Sequence, residues 1–204
     1  DSDKLANEGK TPMYIAINNK LEGIIAVADV VKPSSFEAIK ELHNMGIKVA
    51  MITGDNKKTA EAIAKQVGID IVLSEVLPED KANEVKKLQG QNNKVAMVGD
   101  GINDAPVLKR ADIGIAMGGL GSDAAIEAAD VVLMDDQPAK IATAIRIARR
   151  TIRIAHENVW FAIGIKVAIL VLASIGLGTM WMAVFADVGV TVLAVFNAMR
   201  ALRI

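Results

Sequence analysis

A step in polarity near Asn158 constrains this chain most. From Asn158 to Ala198 the only charged side chains are Lys166 and Asp187, whereas the preceding part mixes charged and apolar residues throughout. Val159 to Ile175, with its flanks, is long enough to cross a bilayer core of roughly 30 Å, and Met180 to Ala198 meets that length nearly unaided. Gly176-Leu177-Gly178-Thr179 supplies the turn between the two runs. Arg146, Arg149, Arg150 and Arg153 precede the first run, Arg200 and Arg203 follow the second, and the turn holds no basic residue. Both ends of such a hairpin belong on the cytoplasmic side. Trp160 and Trp181 stand where interfacial aromatics are expected. A buried soluble hairpin is the competing reading, and the length of the second run argues against it.

Ahead of the hairpin the pattern is that of a soluble α/β protein. Met13 to Asn18 and Leu21 to Ala28 read as two strands around an Asn18-Asn19 turn, and Asp29 ends the second. Pro33-Ser34-Ser35 starts a helix whose apolar face is Phe36, Ile39, Leu42 and Met45, and Gly46 closes it. Strands are then expected at Ile47 to Ile52, Ile69 to Leu73, Val95 to Val98, Ile113 to Met117 and Val131 to Met134. Between them fall helices from Lys57 to Val67, Pro78 to Leu88, Asn103 to Arg110 and Ser122 to Ala128. Strands alternating with helices of this length predict a doubly wound parallel sheet. Gly118-Gly119-Leu120-Gly121 follows a strand but lacks the GxGxxG register, so a plain turn is the better reading. The chain holds no cysteine, which removes disulfides, thiolate metal sites and cysteine nucleophiles together. Its net charge of −1 gives no reason to expect a nucleic-acid partner, and no signal-peptide pattern opens it.

The chemistry gathers at strand ends. Val95 to Val98 stops at Gly99-Asp100-Gly101, where the backbone can turn tightly and approach a ligand. Asn103 is suited to capping the following helix, with Pro106 in its first turn. Asp100 and Asp104 therefore sit at the carboxyl end of a strand, where open α/β sheets place their ligands. Hard oxygen donors beside a Gly-rich turn suit Mg²⁺ and an accompanying phosphate. Thr53 with Gly54-Asp55 and Lys81 join the same set, because a hydroxyl can hold a phosphoryl oxygen and a lysine can neutralise developing charge. Each has a plain alternative, Thr53 as a helix cap and Lys81 as a solvated charge. The ordered set favours phosphoryl transfer.

TGD at Thr53 to Asp55, the lysine of Pro78-Glu79-Asp80-Lys81, and GDGIND at Gly99 to Asp104 resemble the phosphorylation domain of a P-type ATPase, which has the haloacid-dehalogenase-like fold. The resemblance implies that Asp100 holds Mg²⁺, that Asp104 and Asn103 support it and the phosphoryl site, and that Thr53 and Lys81 contact phosphate. Gly54 and Asp55 would complete the loop used in dephosphorylation, and ATP would be the phosphoryl donor. Four divisions follow: 1–28, the tail of a nucleotide-binding domain and hinge; 29–137, the phosphorylation domain without its first strand and nucleophile; 138–157, a cytosolic stalk helix; and 158–204, a transmembrane hairpin. The family's DKTGT string is absent, and Asp1-Ser2-Asp3-Lys4 reads as a loop and not as a strand-borne nucleophile. The chain is thus expected to be the carboxyl-terminal part of a transporter, unable to form a phosphoenzyme without the rest.

Lys166 lies about eight residues into the first span and Asp187 about seven into the second from the opposite face, so at ~1.5 Å per residue their heights differ by roughly 10 Å or less. Charges at that depth mark a pathway or a pair. A carboxylate can bind a divalent cation, and a lysine can serve as its counter-ion after release. Asn158, Lys166 and Asp187-Val188-Gly189 resemble the zinc/cadmium/lead branch of heavy-metal P-type ATPases. Of the copper branch's helix signatures only Asn158 matches, no Met-x-x-Ser-Ser occurs, and His156-Glu157 is not the cobalt-type motif. Met180 and Met182 read as packing or lipid-facing residues, and His43 and His156 as surface or juxtamembrane ones. The expectation is part of an ATP-driven Zn²⁺/Cd²⁺/Pb²⁺ export pump in the plasma (inner) membrane. Its rivals are a pump for another cation such as Cu⁺, a membrane-anchored phosphatase, and a non-catalytic partner chain.

Overall fold

The computed structural model describes residues 1–7, 10–27, 31–90, 92–99, 102–118 and 123–202. It divides into two compact units, Asp1–Ala142 and Thr143–Ile204. Asp29, Asp100, Gly101, Gly119 to Ser122 and Arg203 lie outside the described residues.

In the first unit, Asp1 to Lys4 is not the expected loop. Helix α1 (Ser2–Asn7) forms there, and the Asp3 carboxylate accepts a hydrogen bond from Lys58 Nζ at 2.5 Å. Strands β1 (Thr11–Ile17) and β2 (Lys20–Val27) pair antiparallel with Ile17 opposite Lys20. That register leaves Asn18 and Asn19 as the loop, at φ 51° and 60°, the left-handed conformation a two-residue hairpin requires. Helix α2 (Pro33–Asn44) buries Ala38 and Leu42, while Phe36 is 54% exposed. Its apolar stripe is therefore centred on Ala38 and Leu42, and Phe36 lies beyond its edge.

Every later strand is followed by a helix. Strand β3 (Ala50–Ile52) leads to α3 (Lys57–Val67), capped by the Asn56 side chain accepting from Thr59 N at 3.0 Å and ended by Gly68 at φ 84°. Strand β4 (Ile71–Leu73) leads to α4 (Lys81–Gln89), and β5 (Ala96–Gly99) to a 3₁₀ turn (Ile102–Asp104) and α5 (Ala105–Arg110). Strand β6 (Ile113–Met117), α6 (Asp123–Ala128) and β7 (Val131–Leu133) complete the alternation. Residues Leu77 to Asp80 are a turn and not the first turn of α4, with Asp80 N donating to Leu77 O at 2.9 Å.

All of these pairings are parallel, as expected of right-handed crossovers through helices. The expected single sheet is nonetheless split among the described residues: β3 pairs with β4, and β5, β6 and β7 pair in that order. A core of Leu108, Ala116 and Ala125, with Met97 and Val132 against it, lies under the three-stranded sheet. Gly114 is required there, because a Cβ on it would stand 2.8 Å from Leu108 O.

The amino ends of the strands share one device. Asp70, Asp112 and Asp130 each precede a strand and accept from a backbone N–H at the start of the neighbouring one: Val49 at 2.7 Å, Val95 at 3.0 Å and Gly114 at 2.8 Å. These carboxylates fix the parallel register. His43 Nε2 also reaches Asp70, at 2.9 Å, so it is a partner in this arrangement and not only a surface residue. The Val49 and His43 hydrogen bonds hold the Asp70 carboxyl below its usual range. The Val95, Gln89 and Lys94 hydrogen bonds do the same for Asp112.

The second unit is built on α7 (Ala139–Ser174), an unbroken helix from Thr143 onward within this unit. Helix α8 (Met180–Val184) and α9 (Val190–Ala198) follow, joined by a π turn over Phe185–Gly189. The span expected at Met180 to Ala198 is therefore not α-helical throughout. Its wide turn has a local cause, since a Cβ on Gly189 would stand 2.6 Å from the Phe185 ring. Val190 N bonds Phe185 O, and the Thr191 hydroxyl donates to Asp187 O at 2.7 Å. Both Ala139–Ser174 and Met180–Leu202 are long and apolar enough to cross a membrane, by length and composition. Their side chains are largely exposed, as befits helices whose solvent is lipid and not a protein core.

Candidate functional site

The expected phosphoryl-site residues that are described follow three of the parallel strands: Thr53 to Asp55 after β3, Lys81 at the start of α4 after β4, and Asn103 and Asp104 in the 3₁₀ turn after β5. After β3, the Thr53 hydroxyl donates to Asp55 Oδ2 at 2.7 Å and accepts from Asp55 N at 3.1 Å. This closes Thr53-Gly54-Asp55 into a compact turn with its polar groups satisfied internally. Backbone bonds from Glu75 N to Asp55 O and Val76 N to Thr53 O, at 2.9 and 3.1 Å, tie it to the segment after β4. A Cβ on Gly54 would meet only Val76 O, at 3.7 Å, so packing inside this chain does not demand glycine there.

After β5, Asp104 is held against the strand end. Lys81 Nζ, at the first residue of α4, donates to Asp104 Oδ1 at 2.8 Å, with the side chains 21% and 14% exposed. This pair is less screened by solvent than an exposed ion pair. Gly99 is the residue that makes it possible, since a Cβ there would stand 2.8 Å from Asp104 Cβ and 3.0 Å from Oδ2. Motif reading attributes this glycine to the tight turn; its close approach to Asp104 is what the structure adds. Asn103 lies inside the 3₁₀ turn and is exposed, so it does not cap α5, which begins after Asp104. Asp100, the expected Mg²⁺ ligand, lies outside the described residues.

Hard divalent cations require several oxygen donors. Asp104 keeps Oδ2 beside the Gly99 backbone, a donor of the right chemistry. Among the described residues no group of three His, Cys, Asp or Glu side chains gathers to hold a metal, so Asp104 fits Mg²⁺ as one ligand of a set completed elsewhere. An open groove of about 770 Å³ runs between Ser74–Val76 and α4 residues such as Asn83. Its lining does not include Thr53, Lys81 or Asp104, and it is not this site.

In the second unit Lys166 Nζ stands 3.4 Å from Asp187 Oδ1, joining α7 to the π turn across the hairpin. The side chains are 56% and 80% exposed. Toward the ends of the spans, Asn158 Nδ2 donates to Ala194 O at 3.0 Å and Asn197 Nδ2 to Asn158 Oδ1 at 2.8 Å. Asn197 is missed by motif reading because a lone amide in an apolar run carries no spacing signal.

The sequence model for a family described as haloacid dehalogenase-like hydrolase matches residues 1–112, and a second of the same description matches residues 80–145. The chain belongs to the haloacid dehalogenase-like hydrolase family. Within it, homology to cadmium- and zinc-transporting P-type ATPases covers nearly the whole chain. A cadmium, zinc and cobalt-transporting ATPase of Bacillus subtilis is 54% identical over 95% of this chain and 28% of that protein. A copper-exporting P-type ATPase of Staphylococcus aureus is 53% identical over 95% of this chain and 24% of that one. A crystal structure of a zinc-transporting PIB-type ATPase in the E2.Pi state superposes with a TM-score of 0.86 at 42% identity, over 98% of this chain and 33% of that chain. This chain therefore spans about a quarter of the length of the curated relatives it matches.

Proposed function

We propose that this chain is the carboxyl-terminal part of an ATP-driven pump that exports a divalent heavy metal, Zn²⁺, Cd²⁺ or Pb²⁺, through an aspartyl-phosphate intermediate. The observation that carries the choice of cargo is the Lys166–Asp187 pair, at 3.4 Å between spans that hold no other charge. Asp187 offers the cation a carboxylate, and Lys166 replaces the departed charge, so neither is left unpaired in lipid. Overall identity does not select the metal, since copper and zinc exporters match almost equally. Ligand chemistry favours a divalent cargo, because Cu⁺ prefers soft sulfur donors, the charged pair offers a carboxylate oxygen, and Met180 and Met182 are read as packing or lipid-facing residues.

In the first unit, Lys81 would neutralise charge on a phosphoryl group and Thr53 would hold one of its oxygens. Asp104 holds Lys81 at that position. Mg²⁺, bound by Asp104 and Asp100, would supply further charge neutralisation of the phosphoryl oxygens. The phosphorylated aspartate and the actuator and nucleotide-binding parts would come from the remainder of the pump. Residues 1–28 serve as the tail of the nucleotide-binding domain, 29–137 as the phosphorylation domain, 138–157 as the stalk and 158–204 as the hairpin, with both hairpin ends cytoplasmic in the plasma (inner) membrane.

The test is ATP hydrolysis by the full-length protein in lipid. Zn²⁺ or Cd²⁺ should stimulate it, and Lys81→Ala should lower the stimulated rate by about 10²-fold or more, the usual cost of one removed charge-stabilising donor. Metal-independent phosphate release from a small phosphomonoester by this chain alone would make it a membrane-anchored phosphatase instead.

A further inference from the structure

The amide of Asn158 belongs to a directional chain of hydrogen bonds that ties α7 to α9. Asn158 Nδ2 donates to Ala194 O, Asn158 Oδ1 accepts from Asn197 Nδ2, and Asn197 Oδ1 accepts from Arg200 at 2.7 Å. Arg200 also reaches Glu157 Oε2 at 3.2 Å, and Arg150 donates to Arg200 O at 3.0 Å. A carbonyl, which can only accept, ends the chain on one side, and a guanidinium, which can only donate, ends it on the other. Neither amide can flip without losing bonds at both of its ends. The guanidinium also excludes a cation from this cluster, so it is no metal site.

The two asparagines lie on the less exposed faces of their helices. Along α7 the sheltered positions run Ile154, Asn158, Ala162, Ile165 and Ile169, and along the second span Ala186, Val190, Ala194 and Asn197. Both are seams of i, i+3, i+4 spacing. Lys166 and Asp187 each stand one residue beside a seam. The apolar members of such a seam tolerate sliding, because lipid-like side chains gain little from one neighbour over another. A part-buried, hydrogen-bonded amide pair does not, which is how polar residues fix register in helical coils.

We propose that Asn158, Asn197 and Arg200 are a register clasp: positioning residues that set the height and rotation of the second span so that Asp187 meets Lys166. The clasp places Asn158 as a helix-pairing residue and not as a ligand of the cargo. A slip by one turn displaces the spans by about 5.4 Å, against a Lys166–Asp187 distance of 3.4 Å. The register claim is independent of which ion is carried; only its kinetic consequence rests on the pump reading.

The test uses the full-length protein in lipid nanodiscs, with genetically encoded spin labels at positions 170 and 184, and measures the distance distribution between them. One narrow distance is expected with the clasp intact. Asn158→Ala and Asn197→Ala should each broaden it or add a second population shifted by about one helical turn, and the double variant should do no more than either alone. Arg200→Lys, which keeps a donor for Asn197 and Glu157, should retain the narrow distance, whereas Arg200→Met, at the span's end and easily accommodated, should broaden it. In the pump reading, the metal concentration for half-maximal ATPase stimulation should rise several-fold in the Ala variants with the maximal rate less affected. A narrow, unshifted distance in both Asn variants and in Arg200→Met, in protein shown folded by its melting curve, overturns the clasp. A shifted distance without a kinetic change upholds the clasp and counts against the pump reading alone.

Discussion

At the scale of single residues, the aspartates sort by the end of the strand they occupy. Asp55 and Asp104 follow strands and accept from the Thr53 hydroxyl and Lys81 Nζ, while Asp70, Asp112 and Asp130 precede strands and accept neighbouring backbone N–H groups. Motif spacing made the first set legible, because TGD and GDGIND bring unusual residue combinations together. The second set was not, since one aspartate ahead of an Ile or Val is common and its partner lies 16 to 21 residues away. Two glycines separate in the same manner. Gly99→Ala should drive a methyl into Asp104, at 2.8 Å from its Cβ, and dislodge it from Lys81. Phosphoenzyme formation by the full-length protein should then fall by about 10²-fold, the scale of a lost positioned charge. Gly54→Ala meets nothing closer than 3.7 Å and should shift the melting free energy by less than about 1 kcal/mol. If it also lowers turnover, the loss reports the approach of phosphate to that loop and not folding.

At the scale of elements, most boundaries followed from caps and periodicity: α3 was expected at Lys57 to Val67 and spans Lys57–Val67, bounded by Asn56 and Gly68. The π turn at Phe185–Gly189 was not readable, because it depends on a ring filling the space of a missing Cβ and not on hydropathy. Nor was the split of the sheet, since strand pairing is set in three dimensions and not by the order of apolar runs. The register carboxylates give an acid dependence. Asp70 and Asp112 are held below the ordinary value of about 3.9, so their contribution is complete above it and is lost as pH falls through the lower folded value. Thermal melts of the soluble unit should decline from about pH 4 downward, and Asp112→Asn should flatten that decline while lowering stability at neutral pH. Leu108→Ala, at a side chain 1% exposed, should cost about 2–5 kcal/mol in the same assay.

At the scale of the whole molecule, the polarity step falls at Asn158, whereas the chain divides into an α/β unit and a helical unit between Ala142 and Thr143, inside the long helix α7. The family was legible because its chemistry lies in short contiguous strings. The proposed cargo is harder to read: copper- and zinc-transporting relatives are each identical to this chain at just over half of the aligned positions, and the proposed distinction rests on two charged residues in the hairpin. The most direct test is therefore Asp187→Ala in the full-length protein, assayed for Zn²⁺- and Cd²⁺-stimulated ATP hydrolysis in lipid. The account predicts that metal stimulation disappears while the soluble unit melts as before. Stimulation at the unaltered level would contradict it, by removing Asp187 from the path of the ion.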